Sequence, residues 1–313
     1  MGASGSKSVA FDPKVDIPSL KDKVILVTGG TSGIGQQSVL EFAKHEPKEI
    51  WLAARNAAKA KEVTDKIRAE VPGANIRFVQ IDVGSFASVR TAAKQILNGA
   101  DRLDILLLNA GIMGVPAATT DEGYEIQFGT NHMGHALLTK LLQPLLLKTA
   151  EQHGDARVVL VSSAAHAFGP SEGIIFDALK TTGEAMTGRA RYGQSKLANA
   201  LYARELARHN PQLTAVSLHP GLVRTNLAAT LMDGNWFAGA LIVFLTMVVG
   251  VDVPTGTLNQ LWASTAKKED IVSGTYYEPI GATGRGKPQI YDQALAEKLW
   301  EWTEKELEGQ TVI

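Results

Sequence analysis

Apolar positions along this chain fall into short runs that alternate with longer amphipathic stretches. The runs are rich in leucine and β-branched residues and carry few polar positions, as do strands buried on both faces of a parallel sheet. They predict strands at Val24–Thr28, Ile50–Ala53, Ile76–Ile81, Ile105–Leu108, Val158–Val161 and Ala215–Leu218, with a weaker candidate at Thr275–Glu278. The stretches between and after them predict helices at Ile34–Lys44, Ala57–Glu70, Phe86–Leu97, Tyr124–Leu147, Gly193–Arg208, Gly256–Ser264 and Gln293–Glu308.

This alternation predicts an α/β fold with a doubly wound parallel sheet flanked by helices on both faces. No repeat or low-complexity linker divides residues 20–313, so we expect a single domain after a flexible tail, residues 1–19. Two irregular stretches, about 164–190 and 226–253, follow the carboxyl ends of predicted strands. Ligands of open α/β sheets bind at that edge, so we expect these insertions to form a substrate pocket and a lid.

Composition excludes several classes of function. The chain has 313 residues, of which 45% are apolar and 20% charged, and a formal net charge of −1. Such a charge creates no global field that would favour nucleic acid, so no nucleic-acid partner is expected. The absence of cysteine excludes disulfides, thiolate catalysis and cysteine-ligated metals. The first twenty residues lack an apolar signal region, and a cytoplasmic location is expected.

Two features leave membrane association open. The start of the chain fits the myristoylation pattern, with Gly2 exposed after removal of Met1 and Ser6 in the required place; the alternative is a flexible Gly/Ser tail. The apolar run Trp236–Val251 is shorter than the roughly 18 residues that a membrane-spanning helix needs. A lid, a core helix or a membrane-touching loop are its alternatives, and we predict a lid.

A glycine-rich turn, Thr28–Gly35, follows the first predicted strand and opens the first long helix. Glycines there allow a tight turn and close approach of the backbone, and the helix N-terminus offers N–H groups to a pyrophosphate. The spacing places glycines at Gly29, Gly33 and Gly35, which differs from the G-x-G-x-x-G pattern. In its strand–turn–helix setting the turn predicts a Rossmann-like nucleotide site, whereas a merely tight loop is the alternative.

The end of the second strand indicates which cofactor binds. An acidic residue there would bond the ribose 2′-hydroxyl of NAD. Here the strand ends in Arg55-Asn56 with no carboxylate, and Arg55 could hold a 2′-phosphate with two hydrogen bonds. We therefore predict NADP(H), the alternative being a solvated arginine. Two weaker motifs follow later strands: Asp82-Val83, suited to an adenine ring, and Asn109-Ala110-Gly111, suited to the middle of the cofactor.

Tyr192 and Lys196 stand four residues apart and share one face of a predicted helix. A tyrosine with its usual pKa near 10 is a poor base at neutral pH. A nearby ammonium group and an oxidised nicotinamide are expected to lower that pKa. Such pairs are common on helix surfaces, but here the pair accompanies the glycine-rich turn and Ser162-Ser163 after another strand.

These motifs resemble the short-chain dehydrogenase/reductase family. The matching segments occur in family order over roughly residues 20–280: Thr28–Gly35, Asn109–Gly111, Asn131, Ser163, Tyr192 with Lys196, and Pro220–Thr225. Asn131–Thr139 and Ser195–Asn199 are similar to the retinol-dehydrogenase-like branch and its fungal carbonyl reductase relatives. The stretch between Ser163 and Tyr192 is longer than in compact members, so we expect an enlarged pocket.

The resemblance implies a role for each matching residue. Tyr192 is the general acid in reduction and the base in oxidation, and Lys196 holds the nicotinamide ribose. Ser163 hydrogen-bonds the substrate carbonyl, and Asn131 positions a water that links Lys196 to solvent. The implied cofactor contacts are Gly29, Thr31, Ser32, Gly33, Ile34, Gly35, Arg55, Asn56, Asp82, Val83, Asn109, Ala110, Gly111, Tyr192, Lys196, Pro220, Gly221, Val223 and Thr225. No metal is predicted, because His132 and His135 lack a third ligand in sight.

The sequence thus predicts an NADPH-dependent oxidoreductase acting on the carbonyl or secondary alcohol of a lipophilic small molecule. A retinoid, a steroid, a polyketide or another secondary metabolite would fit the apolar run beside the strand edge. An imine reductase or cyclase using the same hydride site is one alternative, and a non-catalytic NADP-binding scaffold is another. A homo-oligomer and a peripheral membrane contact stay open.

Overall fold

Seven parallel strands form one sheet in this computed structural model, which describes residues 6–224 and 250–311. The strands are β1 Val24–Thr28, β2 Glu49–Ala54, β3 Ile76–Gln80, β4 Ile105–Leu108, β5 Arg157–Val161, β6 Thr214–Leu218 and β7 Tyr276–Tyr277. Their spatial order is β3-β2-β1-β4-β5-β6-β7. Because the order reverses between β1 and β4, a crevice opens there at the carboxyl edge of the sheet. The predicted doubly wound fold is confirmed.

Helices cover both faces of the sheet. They are α1 Pro13–Asp16, α2 Gly33–Ala43, α3 Ala57–Glu70, α4 Phe86–Gly99, α5 Gly134–His153, α6 Gly188–His209, α7 Val253–Thr265 and α8 Gln293–Glu306. A short turn, Ile126–Phe128, and a wide π-helical turn, Gly129–Met133, lead into α5. The structure begins α6 five residues before the predicted start, because Thr187 caps it by accepting the N–H of Ala190.

Side chains of each strand alternate between two apolar cores. In β1, Val24 and Leu26 face one core, whereas Ile25 and Val27 face the other. The first core packs against α4, α5, α6 and α8, and the second against α2, α3 and α7. Both faces of the sheet are therefore buried, which explains the continuous apolar runs in the sequence.

The segment before Leu20 differs from the predicted loose tail. Its Ile17 is buried, and the N–H of Val9 donates to the carbonyl of Ile280 over 2.9 Å. Ser8 Oγ donates to Pro279 O, and the N–H of Thr283 donates to Ser6 Oγ over 3.0 Å. From Ser6 onward the segment is thus docked on the loop after β7, because its polar backbone finds partners there.

Three predictions fall outside the described residues: acylation of Gly2, a cofactor contact at Thr225, and the lid, whose residues 226–249 are not described. The base of that insertion is described. Val223 and Val251 form a parallel bridge in which Val251 N–H donates to Leu222 O over 2.8 Å. The insertion therefore leaves and rejoins the domain at neighbouring positions beyond β6. Among the described helices, none has the length and apolarity needed to cross a membrane.

Candidate active site

The turn after β1 leads directly into the N-terminus of α2. Ser32 is the N-cap residue, but its side chain caps no backbone N–H. The first N–H groups of α2 therefore lack a side-chain acceptor and can bind an anion. Thr31 and Ile34 flank this end of the helix and are half-buried, while Ser32 is exposed.

Glycine is required at several positions of this turn. Gly29 and Gly33 have positive φ angles of 70° and 51°, which favour glycine. A Cβ at Gly29 would lie 3.0 Å from the backbone of Ala110, and one at Gly35 would overlap the side chain of Asn109. The turn therefore packs directly against the Asn109–Gly111 motif after β4, so the structure brings these two motifs together.

Thr28 joins the two motifs through one hydroxyl group. Its Oγ1 accepts the N–H groups of Asn109 and Ala110 over 2.9 and 3.0 Å. The side-chain amide of Asn109 donates in return to Thr28 O over 2.9 Å. The oxygen of that amide is buried and has no partner among the described residues.

Arg55 and Asn56 follow β2 at the same edge. Arg55 is exposed, and its guanidinium has no hydrogen bond or ion pair with any residue in the described ranges. Asn56 caps α3 by accepting the N–H of Lys59 over 2.9 Å, and no acidic residue occupies the first turn of that helix. A cationic side chain thus stands beside a positive helix terminus, an arrangement suited to a phosphate.

Asp82 and Val83 follow β3. One carboxylate oxygen of Asp82 accepts the N–H of Gly84 over 2.9 Å, which shapes the turn. Val83 is buried, and a Cβ at Gly134 would overlap its carbonyl oxygen. The pair therefore fixes the start of α5 against the sheet edge as well as lining it.

Tyr192 and Ser163 meet above the carboxyl edge. Ser163 follows β5, and its side chain lies close enough to the phenol of Tyr192 on α6 to lower the pKa of that phenol. Ser163 also caps the 3₁₀ turn Ala164–Phe168, because its Oγ accepts the N–H of Ala165 over 3.1 Å. The neighbouring Ser162 instead donates to Lys196 O over 2.6 Å. The structure therefore distinguishes the two serines, and Ser163 is the one that reaches the tyrosine.

Lys196 lies on the same face of α6 as Tyr192. Its Nζ donates to Val161 O, at the end of β5, over 2.8 Å, and lies 5.6 Å from the centroid of the tyrosine ring. A Cβ at Gly111 would lie 3.0 Å from Asn131 Oδ1 and 3.5 Å from Lys196 Nζ. A side chain at Gly111 would thus crowd both groups.

Burial dominates the ionisation of both groups. It raises the pKa of Tyr192 to about 12, while the hydrogen bond from Ser163 acts in the opposite direction. Burial also lowers the pKa of Lys196 to about 8. The expected lowering of the tyrosine pKa by the lysine is therefore not found in the protein alone. A nearby ammonium favours the phenolate, but the loss of solvent around the buried phenol favours the neutral form and outweighs it.

Asn131 differs from its implied role in one respect. Its side-chain oxygen accepts the N–H of Ile112 over 2.8 Å, and its amide donates to Ile112 O and to Ser195 Oγ, each over 2.9 Å. The hydrogen bonds of this side chain thus join the loop after β4 to α6. A water near Lys196 would therefore have to bond the backbone carbonyl of Asn131, which lies in the π-helical turn.

That backbone carbonyl already has a partner that the sequence did not indicate. His135 Nδ1 donates to Asn131 O over 3.1 Å, and His135 Nε2 contacts Thr28 Oγ1 at 3.0 Å. Burial, together with the ammonium of Lys196, lowers the pKa of His135 to about 3. A neutral buried histidine thus links the glycine-rich turn to the Asn131 turn. The only indication of this role in the sequence was the presence of a polar residue, His135, within a mostly apolar predicted helix.

Pro220, Gly221 and Val223 follow β6. Gly221 has a φ of 93°, and a Cβ there would lie 3.6 Å from Pro279 Cγ. Val223 belongs to the bridge at the base of the insertion. Of the predicted cofactor contacts, these three therefore stand beyond β6 at the same carboxyl edge as the residues after β1, β4 and β5.

Sequence comparison places this geometry among known proteins. A family model described as short chain dehydrogenase matches residues 23–236. An uncharacterized oxidoreductase of Schizosaccharomyces pombe is 37% identical over 303 residues, which cover 93% of this chain and 86% of the relative. Human retinol dehydrogenase 13 is 34% identical, with 93% of this chain and 85% of the relative covered.

Solved structures share the fold. An uncharacterized protein from Mycobacterium paratuberculosis superposes with a TM-score of 0.74 at 28% identity, covering 95% of this chain and 97% of that one. The NADPH-bound carbonyl reductase from chicken fatty liver superposes with a TM-score of 0.59 at 23% identity, covering 83% and 97%. At that lower identity the likeness concerns the fold alone. Together with the family match, the comparisons assign this chain to the short-chain dehydrogenase/reductase family, in its retinol-dehydrogenase-like branch.

Proposed function

We propose that this protein is an NADPH-dependent oxidoreductase that interconverts a carbonyl and a secondary alcohol on a lipophilic small molecule. The observation that carries the proposal is the convergence of the Ser163 and Tyr192 side chains, with Lys196 on the same helix face. Two hydroxyl groups that converge at a sheet edge can bind one carbonyl oxygen. This arrangement suits proton transfer to and from that oxygen.

The residues at the crevice fit a dinucleotide. The N-terminus of α2 offers uncapped N–H groups to the pyrophosphate, and the glycines before it allow close approach. The buried orphan oxygen of Asn109 lies beside that turn, and the absence of a side chain at Gly111 keeps the backbone close to Lys196. When bound, NADPH supplies the hydride to the carbonyl carbon.

The chain's own residues handle the proton. Tyr192, which burial keeps protonated, donates its hydroxyl proton to the substrate oxygen during reduction. Ser163 donates a hydrogen bond to the same oxygen and so orients the carbonyl. The charge of Lys196 favours the phenolate that remains, and its ammonium is placed to bond ribose hydroxyls. In oxidation, the phenolate takes the proton back.

Arg55 supports the choice of NADPH. It is exposed at the end of β2 and stands where an acidic side chain would favour NADH. Lys59, in the first turn of α3, adds a second positive charge nearby. Both features support recognition of a 2′-phosphate.

Exposed apolar side chains support a lipophilic substrate. Phe168, after β5, is 57% exposed, and Leu222, after β6, is 47% exposed. The guanidinium of Arg189, one helical turn before Tyr192, lies 5.3 Å from the centroid of the Phe168 ring. The insertion that starts beyond Leu222 contains the apolar run Trp236–Val251. The similarity to retinol dehydrogenase 13 agrees with a large apolar substrate.

A substrate panel tests the proposal. Purified protein is mixed with NADPH and retinal, steroid ketones, polyketide-like ketones or cyclic imines, and cofactor consumption is followed by absorbance. We expect turnover of apolar carbonyl compounds, with NADH giving lower kcat/KM. Turnover of imines alone would support an imine reductase. NADPH binding without turnover of any compound would support a non-catalytic scaffold.

A further inference from the structure

His166 occupies a buried position three residues after Ser163, in the 3₁₀ turn that follows β5. Only 4% of its surface is exposed. We infer that His166 is a positioning residue that holds Ser163 in place for its hydrogen bond to Tyr192, an inference that rests on the proposed function. His166 itself contacts none of the reacting groups described above.

Both ring nitrogens of His166 have backbone partners. Nδ1 lies 2.6 Å from Ser163 O, and Nε2 lies 3.1 Å from the amide nitrogen of Lys287. A carbonyl only accepts and an amide N–H only donates, so the proton belongs on Nδ1 and the lone pair on Nε2. The two contacts together select one neutral tautomer. Burial lowers the pKa of His166, which agrees with a neutral ring.

The partners of His166 come from distant parts of the chain. Lys287 lies 121 residues away, in the segment after β7, and Tyr276 of β7 packs edge-on against the imidazole at 5.3 Å. His166 therefore fastens the turn after β5 to the segment after β7. A ring held on three sides has one orientation available.

This fastening constrains the serine hydroxyl. Ser163 Oγ accepts the N–H of Ala165, which leaves its hydrogen free to point towards Tyr192. The carbonyl of the same residue accepts both the imidazole Nδ1–H and the backbone N–H of His166, over 2.6 and 3.1 Å. Rotation of the Ser163 backbone would break these bonds together with the one to Ala165, so the imidazole adds the shortest of the bonds that fix the direction of the hydroxyl.

Three substitutions test the hydrogen bonds of the two ring nitrogens separately. His166→Asn keeps an N–H donor at the place of Nδ1, and His166→Gln can offer an acceptor near the place of Nε2. His166→Phe keeps an aromatic ring at this position but loses both side-chain hydrogen bonds. We expect kcat to fall about tenfold in His166→Phe and His166→Gln and to recover to within about threefold in His166→Asn. NADPH affinity, measured by cofactor fluorescence, is expected to change less than about twofold in all three.

The pH profile of alcohol oxidation gives a second readout. The Ser163 bond lowers the pKa of Tyr192. If His166 maintains that bond, the rising limb of kcat/KM should move to higher pH in His166→Phe and return in His166→Asn. His153→Phe is the control, because His153 is exposed and lies at the end of α5, near the opposite edge of the sheet.

The outcomes distinguish this inference from the proposed function. An unsubstituted protein that turns over none of the compounds removes the proposed function. An active parent with equal losses and equal pH profiles in the Asn, Gln and Phe variants overturns the positioning role, since general destabilisation would then explain them. Thermal unfolding of each variant identifies any that fail to fold. If His166→Phe does not fold, the contrast between His166→Asn and His166→Gln decides the question.

Discussion

Replacing Arg191 by methionine is expected to lower the free energy of unfolding by about 3–5 kcal/mol, the usual cost of breaking a buried ion pair. Arg191 Nη1 lies 2.9 Å from Glu125 Oε1, and the two side chains are 4% and 0% exposed. Arg191 also donates to Val115 O over 3.1 Å. The substitution leaves the Glu125 carboxylate buried without its cation. Because Arg191 precedes Tyr192, the loss occurs at the active-site helix.

The expected change in Tm follows from this loss of free energy and from the unfolding entropy of the chain. An unfolding entropy of roughly 2.1 cal/mol/K per residue gives about 0.66 kcal/mol/K for 313 residues. The Tm should therefore fall by about 5–8 °C. The matched control is Lys61→Met, which breaks a pair with Asp65 whose side chains are 78% and 55% exposed. That pair contributes about 0.5 kcal/mol at most, so the Tm should fall by less than about 1 °C.

A double-mutant cycle isolates the pair from packing effects. Scanning calorimetry of Arg191→Met, Glu125→Gln and the double variant should show that the double variant loses about 1–3 kcal/mol less than the sum of the single losses. Strict additivity would show that the two side chains do not interact. A Tm loss for Arg191→Met no larger than that for Lys61→Met would refute the reasoning from burial.

Three further predictions concern chemistry and pH. Tyr192→Phe should abolish turnover while NADPH binding, measured by fluorescence titration, changes little; near-normal turnover would contradict the assigned role. Arg55→Ala should weaken NADPH roughly ten- to a hundredfold and NADH far less, in steady-state kinetics with both cofactors; equal losses would exclude recognition of the 2′-phosphate. Burial lowers the pKa of His132 and of His135 to about 3, so between that pH and about 6.5 these histidines are protonated in the unfolded state but neutral in the folded state. The free energy of unfolding should therefore fall as pH drops from about 6.5 towards 3, by about 1.4 kcal/mol per pH unit for each histidine. Urea titrations at several pH values should show that the free energy of unfolding of His132→Gln depends less steeply on pH.

Much of the fold could be predicted because buried parallel strands are continuous apolar runs. The bounds of β1 and β4 agree with the sequence prediction residue for residue, and the other strands differ by one or two residues. The single helix predicted for Tyr124–Leu147 agrees less well with the structure. The structure splits it into a short turn, a π-helical turn and α5, because the extra residue in a π-helix disturbs the apolar period only locally.

The candidate site was predictable where chemistry depends on local spacing. Tyr192 and Lys196 share a helix face in any α-helix, and the glycine turn follows from strand, glycine and helix in order. Contacts between distant residues were not predictable. Nothing in the sequence shows that His135 reaches Thr28 or that His166 reaches Lys287, since those distances depend on how the turns pack.

The docking of the first residues on the loop after β7 has a consequence for the timing of folding. The hydrogen bonds between Ser6 and Thr283 close a loop of 277 residues, whose closure entropy exceeds that of a ten-residue loop by about 3 kcal/mol. They cannot form before Thr283 has been synthesised, roughly 15–55 s after Ser6 at 5–20 residues per second. Throughout that interval the segment that begins at Ser6 lacks its docking partner.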